Sequence, residues 1–416
     1  MDRMKKIIIL FLFSIVSLFS KESSYVIYEP KFSPYAGAEN LFFIFQGSGY
    51  ILSKYISIPK KKNFLYMLGR FAEVTAIYYP LSRIEVVLQH EVFGHGYRIR
   101  DIGSNIAVVN RYVIDAPFPY GNGGGATYYF YNENMTSFLE ASVSIAGVEA
   151  TSIFANRMKI KWLSYPRLDP LKSLLYIESQ HDITSYIDSM DDFFLYDDEG
   201  HDIEDYLFWL NNTYYRDFLS KKKLKKLSLI NFLDPYTYYS IYSFWYYIIT
   251  GKDIAIPMIP IKEVKYLPSF RIGLAPYGAE VFFENFISFR NKALYSYAKW
   301  GKHNFRNYFG IGIECPNIYE VNKNSFGFRF DFFNQPKIYY SKGFTTFQGV
   351  QVGYEESDLE KKIFGALFLL NAERKISTKS DFSVYGQIGY KTKGFVPAFS
   401  LKNDYILRVG FKVFNG

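Results

Sequence analysis

Phe326-Gly327-Phe328-Arg329-Phe330-Asp331-Phe332 is the stretch on which the fold turns. Every second residue is Phe, and Gly, Arg and Asp fill the positions between. Successive side chains of a strand point to opposite faces, so four aromatics go one way and the polar residues the other. The same period recurs in Val350/Val352/Tyr354, in Phe382/Val384/Ile388/Tyr390 and in Tyr405/Leu407/Val409/Phe411/Val413. Further alternating runs lie near 270–275, 280–289, 305–314 and 361–372, with polar turns such as Asn322-Lys323-Asn324 and Ser377-Thr378-Lys379-Ser380 between strands. Residues 266–416 are therefore expected to form an antiparallel β domain, barrel-like or a β-meander. Glycines on the polar faces, among them Gly310, Gly312, Gly327, Gly389 and Gly410, suit a narrow interior or a curved sheet.

Residues 21–265 follow a different rhythm and read as a mainly helical domain. Ile84 to Arg100 has helical spacing and is closed by Asp101-Ile102-Gly103. Ile106 to Ile114 is strand-like, Gly121 to Gly125 is a turn, Thr136 to Lys161 is a second helix, and Ile203 to Tyr247 supplies more helix. Leu227 to Thr250 is apolar and Tyr-rich enough to lie at a membrane interface, but Asp234-Pro235 interrupts it. The chain as a whole is expected to be α+β, with a helical N-terminal half and an antiparallel β-barrel or β-meander C-terminal half.

The first helix carries His90-Glu91-Val92-Phe93-Gly94-His95, two of the five histidines around a glutamate. On a regular helix, residues four apart lie ~40° apart and can share a metal, whereas residues five apart lie ~140° apart and cannot. One π-type turn absorbs the extra residue and returns His95 to the face of His90; such turns occur mostly at functional sites. Gly94 tolerates the distortion, and Gly96 leaves space behind His95. A hydrolytic zinc site needs neutral imidazoles, a carboxylate ligand, an open position for water and a carboxylate base beside it. His90 and His95 are the candidate imidazole ligands and Glu91 the candidate general base.

For the third ligand, Glu140 and Glu149 on the second helix compete. Nine residues apart, they lie about 180° around the helix, so only one can face the motif. Ile145, Ala146, Ser152 and Ile153 surround Glu149, where a carboxylate is expensive unless paired or metal-bound. Glu149 is therefore the expected ligand, and Ala146-Gly147 would let the two helices approach. The competing reading of Glu149 is a core glutamate in a salt bridge to Arg98 or Arg157. His181 and His201, next to Asp182 and Asp202, are candidates for polarising a substrate carbonyl, against a plainer role as loop histidines.

His90-Glu91-x-x-Gly94-His95 resembles the His-Glu-x-x-Gly-His motif of the dipeptidyl-peptidase III family of zinc peptidases. The resemblance implies that His90 and His95 bind Zn2+ and that Glu91 activates a zinc-bound water to hydrolyse a peptide or protein substrate. It covers a short stretch only. The acidic pair followed by Arg-Ala-Glu that forms that family's second motif is absent, and its members are not β-barrels.

Export is expected from residues 1–20, which read as a signal peptide: Lys5 and Lys6, then an apolar run from Ile7 to Phe19 too short to cross a bilayer. With Cys315 as the single cysteine there is no intrachain disulfide, which fits a bacterial envelope. Together with the aromatic-rich strands, these features favour an outer-membrane location with lipid as a partner over a soluble β-sandwich. The net charge of +8 is spread along the chain, and no phosphate loop or Arg–aromatic interleaving points to nucleic acid. The competing function is a non-enzymatic outer-membrane barrel, a pore or adhesion protein whose histidine pair binds nothing. An intramembrane protease is disfavoured because no run of about 20 apolar residues follows the signal.

Overall fold

The computed structural model describes residues 24–56, 58–190, 200–214, 218–290, 292–303, 306–339, 361–376 and 382–413. The expected signal peptide, the Val350–Tyr354 alternation and the Ser377–Ser380 turn lie outside the described residues. Ten strands form one antiparallel sheet. Seven consecutive strands make a meander: β7 (Val264–Ala275), β8 (Gly278–Phe289), β9 (Lys292–His303), β10 (Arg306–Val321), β11 (Asn324–Pro336), β12 (Lys362–Lys375) and β13 (Phe382–Lys391). The sheet continues through β14 (Asp404–Val413) to β1 (Ser24–Tyr28) at one edge, and through β6 (Ile259–Ile261) beyond β7 at the other. β1 and β6 do not pair with each other, so the architecture among the described residues is an open meander and not a closed barrel.

The division at 265/266 falls inside β7, and β1 comes from the N-terminal segment to pair with β14, Val26 opposite Phe411. Strand β9 has no counterpart among the alternating runs read from the sequence. Tyr295 and Tyr297 point inward while Leu294 and Ala298 point outward, so it lacks a polar face to reveal its period.

The helical half begins with α1 (Pro34–Tyr55), which covers the β1 edge: the Asn40 side chain accepts from Ile27 N at 2.7 Å and donates to Ile27 O at 2.9 Å. Then α2 (Phe64–Glu73), α3 (Tyr79–His90) and α4 (Gly96–Ile102) form one long helix joined by two π-turns, Val74–Tyr78 and Glu91–His95. Gly103, with φ of 111°, ends it where the sequence places the stop. The hairpin β2 (Ala107–Ile114) and β3 (Gly125–Tyr131) follows. Helix α5 (Ser137–Ser144), capped by the Thr136 hydroxyl, bends by 45° into α6 (Ala146–Ser164). The short pair β4 (Arg167–Leu168) and β5 (Ile254–Ala255) brackets α7 (Pro170–Asp188), α8 (Asp202–Thr213), α9 (Lys221–Ser228) and α10 (Pro235–Thr250).

Helix α6 is buried along almost its whole length against the inner face of the sheet. That face is charged. Lys159 meets Glu284 of β8 at 2.7 Å, Arg271 of β7 meets the same carboxylate at 2.8 Å, and Arg157 is shared between Glu39 and Glu314. Buried charges persist only when paired, so these pairs fix how α6 sits in the sheet. Glu149, near the start of α6, accepts from Ala398 N beyond β13, while Leu163 O, near its end, accepts from Ser288 at the end of β8. The first turn of α6 therefore lies at one rim of the sheet. Aromatic packing fills the other side of α6, with Trp162, Tyr176 and Tyr236 stacked at ring distances of 5.2 to 6.1 Å.

Candidate metal centre

The π-turn expected from the His-Glu-x-x-Gly-His spacing is present. Gly96 N–H bonds to Glu91 O, five residues back, and the His90 and His95 rings come to 5.0 Å between centroids. Three close approaches hold this geometry. A Cβ on Gly94 would lie 2.6 Å from Ala146 O, one on Gly147 would lie 2.1 Å from His90 Nε2, and one on Gly96 would meet the Tyr112 hydroxyl. The approach of α6 through Ala146-Gly147 is thus as the sequence suggested. The space behind His95 is taken by Tyr112, whose hydroxyl accepts from Arg100 Nη1 at 2.7 Å.

Glu149 is not brought to the histidine pair. Both oxygens of Glu149 accept from Arg98 Nη2 at 3.1 Å, and one accepts from Ala398 N at 2.7 Å. The apolar surroundings that singled it out are satisfied by an arginine instead of a metal, which is the competing reading of that residue. Glu140 is also elsewhere: it accepts from the Tyr129 hydroxyl at 3.0 Å, and burial pushes its carboxyl up to about 7.

The carboxylate that joins the pair is Asp202, the first residue of α8. Its Oδ2 lies 2.8 Å from His90 Nε2 and 3.1 Å from His95 Nε2. One ligand atom from each of His90, His95 and Asp202 falls within 4.8 Å of the others, a group that could hold a metal ion. The opposite ring nitrogens are already engaged, His90 Nδ1 with Asp182 Oδ2 at 2.9 Å and His95 Nδ1 with the Val143 carbonyl at 2.8 Å. Asp182 in turn accepts from the Thr151 hydroxyl at 2.9 Å. Acceptors at both Nδ1 positions hold a proton on each, so both Nε2 atoms converge on one Asp202 oxygen. Three electron-rich atoms on one point need a proton or a cation between them.

The electrostatics agree. Burial disfavours the His90 imidazolium, but the Tyr186 hydroxyl, Asp182 and Asp202 outweigh it and raise its pKa well above the ordinary value. For His95, burial is likewise outweighed by Asp202, with Glu91 adding to the rise. Burial works against the Asp202 anion, yet His95 and His90 hold its carboxyl below the usual range. The histidines are buried and Asp202 is 20% exposed, so the cluster meets solvent on the α8 side.

Glu91 is buried beside this group. Its Oε2 accepts from the Thr127 hydroxyl at 2.6 Å, and Gly125 packs on its side chain closely enough that a Cβ would lie 2.9 Å from Cγ. The glycine turn thus delivers β3 onto the glutamate. Tyr186 of α7 stacks on His90 at 5.1 Å and 17°. The two other candidate histidines, His181 and His201, are bonded elsewhere. His181 bonds Thr237 toward α10, and His201 caps α8 by accepting from Glu204 N and bonds Ser189.

Asp182 and Asp202 were missed as site residues, although each directly follows a histidine noted in the sequence. Both lie in or beside an acid-rich stretch from Asp188 to Asp205, and nothing in the spacing separates the ligand from its neighbours. No family model matches the chain, and comparison with curated proteins and with solved structures likewise finds no match.

Proposed function

We propose that this chain is a zinc-dependent hydrolase of the metallopeptidase type, with His90, His95 and Asp202 as metal ligands and Glu91 as general base. The observation that carries this reading is the convergence of both Nε2 atoms on one Asp202 oxygen, with both Nδ1 positions committed to acceptors. Two imidazoles and a carboxylate form a three-ligand set suited to Zn2+, which when bound supplies Lewis acidity and acidifies water at an open position. The protein's own residues do the rest. Asp182 and Val143 orient the two imidazoles, and the Thr127 hydroxyl fixes the Glu91 carboxylate so that it can accept a proton from water and return it to a leaving amine.

Strand β3 supports a peptide substrate. Among the described residues only β2 pairs with it, and an unpaired strand edge beside the base accepts an extended chain by main-chain hydrogen bonds.

Elemental analysis of protein purified without chelator tests the proposal, with about one zinc per chain expected. Asp202→Ala should lose the metal and Glu149→Ala should keep it. Glu91→Gln should keep the metal and lose hydrolysis of a fluorogenic peptide library by a factor of about 100 or more. Wild-type protein free of metal would overturn the reading.

A further inference from the structure

The lateral surface has its polarity reversed in three separate elements, and the metal centre uses none of it. In the sheet, the charged and polar residues point inward, among buried apolar ones such as Phe282, Leu367 and Leu369, and the outward residues are mainly apolar. Arg329 and Asp331 of β11 lie inside with Glu314, Gln387 and Arg408, while Phe326 and Phe330 lie outside and exposed. Strand register lines the outward residues into rows across five strands: Ile313, Phe330, Phe368, Tyr390 and Tyr405, then Phe328, Leu370, Ile388 and Leu407. Tyr405 and Leu407 are 83% and 62% exposed.

Helix α10 repeats the inversion. It has no Asp, Glu, Lys or Arg; it buries Thr237, Ser240 and Ser243 and exposes Ile241, Trp245 and Ile249. Helix α2 repeats it again, burying Arg70 and Glu73 and exposing Phe64, Leu65, Leu68 and Phe71. Arg70 spends its donors on the carbonyls of Ile248 and Ile249 in α10, so the two helices form one wall.

We propose that this belt is embedded in a phospholipid bilayer, with the outward faces of β9–β14, α2 and α10 against acyl chains; Trp300 of β9 lies opposite the exposed Phe309 of β10. A partner protein or second copy covers one face, whereas here the reversal recurs on the sheet and on the helical wall. Dimensions and charge fit lipid. The outward residues of β12 run uncharged from Phe364 to Ala372, close to the 9–11 residues a tilted strand needs to span. The 16 residues of α10 rise ~24 Å, against an apolar band of about 25 Å in membrane β-proteins. Basic residues mark both ends of the strands, with Lys302 and Lys362 at one and Lys323, Arg374 and Lys375 at the other, at headgroup level. Backbone groups at a sheet edge need partners in hydrocarbon, and at β1 the Asn40 side chain of α1 supplies them to Ile27 N–H and C=O, while β6 forms the opposite edge. The first turn of α6, against which His90 packs, lies at one rim, so the metal centre sits at the edge of the belt.

The test uses the full chain reconstituted in phosphatidylcholine vesicles with brominated acyl chains. Trp245 and Trp300 are on the belt, 52% and 48% exposed, while Trp162 and Trp209 are buried. The expected result is that the protein floats with the vesicles, that bromolipid quenches its tryptophan emission, and that Trp245→Phe with Trp300→Phe removes most of the quenchable fraction. Phe keeps the belt apolar, so these variants retain the fold; Leu370→Arg with Ile388→Arg should cut flotation several-fold. Unquenched emission, or a monodisperse monomer or dimer in detergent-free buffer that does not float, would overturn the proposal. Zinc content is unaffected by either result, so this outcome is independent of the metal site.

Discussion

At the scale of single residues, Asp182 does for His90 what the Val143 carbonyl does for His95: it holds the Nδ1 proton and turns Nε2 inward. Such partners typically account for 10–100-fold in metal affinity. Asp182→Asn should therefore weaken zinc binding by roughly that factor in a chelator competition, with secondary structure unchanged. The raised histidine pKa values set the pH dependence. Metal binding requires both imidazoles neutral, so apparent affinity should keep rising through pH 7 instead of levelling near the ordinary imidazole value of about 6.5. In metal-free protein the imidazolium–Asp202 pairing stabilises the fold fully below about pH 6.5 on the histidine side and is lost as pH rises through the raised values. On the Asp202 side it is present above about pH 3.9 and lost as pH falls through the depressed value. Protein stripped with chelator should thus lose melting temperature between pH 6 and 9 relative to the zinc-loaded protein, measured by scanning fluorimetry. A constant difference across that range would mean the cluster is not ion-paired when empty. The extra residue of the motif was legible because it contradicts regular helix geometry. The identity of the third ligand was not, since a carboxylate on an apolar face is satisfied equally by a buried arginine.

At the scale of elements, the π-turn and the first turn of α6 act as one unit, because Gly94 and Gly147 allow backbone contact where any side chain would intrude. Gly147→Ala separates packing from helix propensity. Alanine favours the helix by about 1 kcal/mol, yet its Cβ would sit 2.1 Å from His90 Nε2. The clash displaces a ligand, so zinc content should fall at least tenfold while helicity by circular dichroism is kept; retained metal would show that α6 can retreat. The bend between α5 and α6 belongs to the same unit, since it brings the Val143 carbonyl to His95. Helix ends and strand faces were largely readable here: the Thr136 cap, the Gly103 stop and the Phe326–Phe332 alternation all appear where local chemistry places them. The bend at Ile145 was not, because an apolar, small-residue run continues through it without a breaker.

At the scale of the whole molecule, α6 ties the helical half to the sheet through buried ion pairs, of which Lys159–Glu284 is fully enclosed. Removing one partner leaves a buried charge, at a cost of about 3–5 kcal/mol. Glu284→Gln should lower stability by roughly that amount, and loss of helical and of sheet signal should coincide in one transition. Two separate transitions would show that the halves fold independently. The same inward placement of charge gives the Phe and Leu rows to the outside, so the strand period that located the sheet also separated its two faces. Period two by itself is indifferent to which side is the core. By itself the sequence determined the α+β class, the antiparallel strands, the candidate histidine pair and the bulge it requires, because each follows from local backbone geometry and spacing. Only the tertiary structure decided that the sheet is open among the described residues and helix-covered, that its charged face is the interior, and that Asp202 and not Glu149 meets the histidine pair. Those outcomes depend on which distant groups compete for one buried partner, and no local pattern encodes the winner.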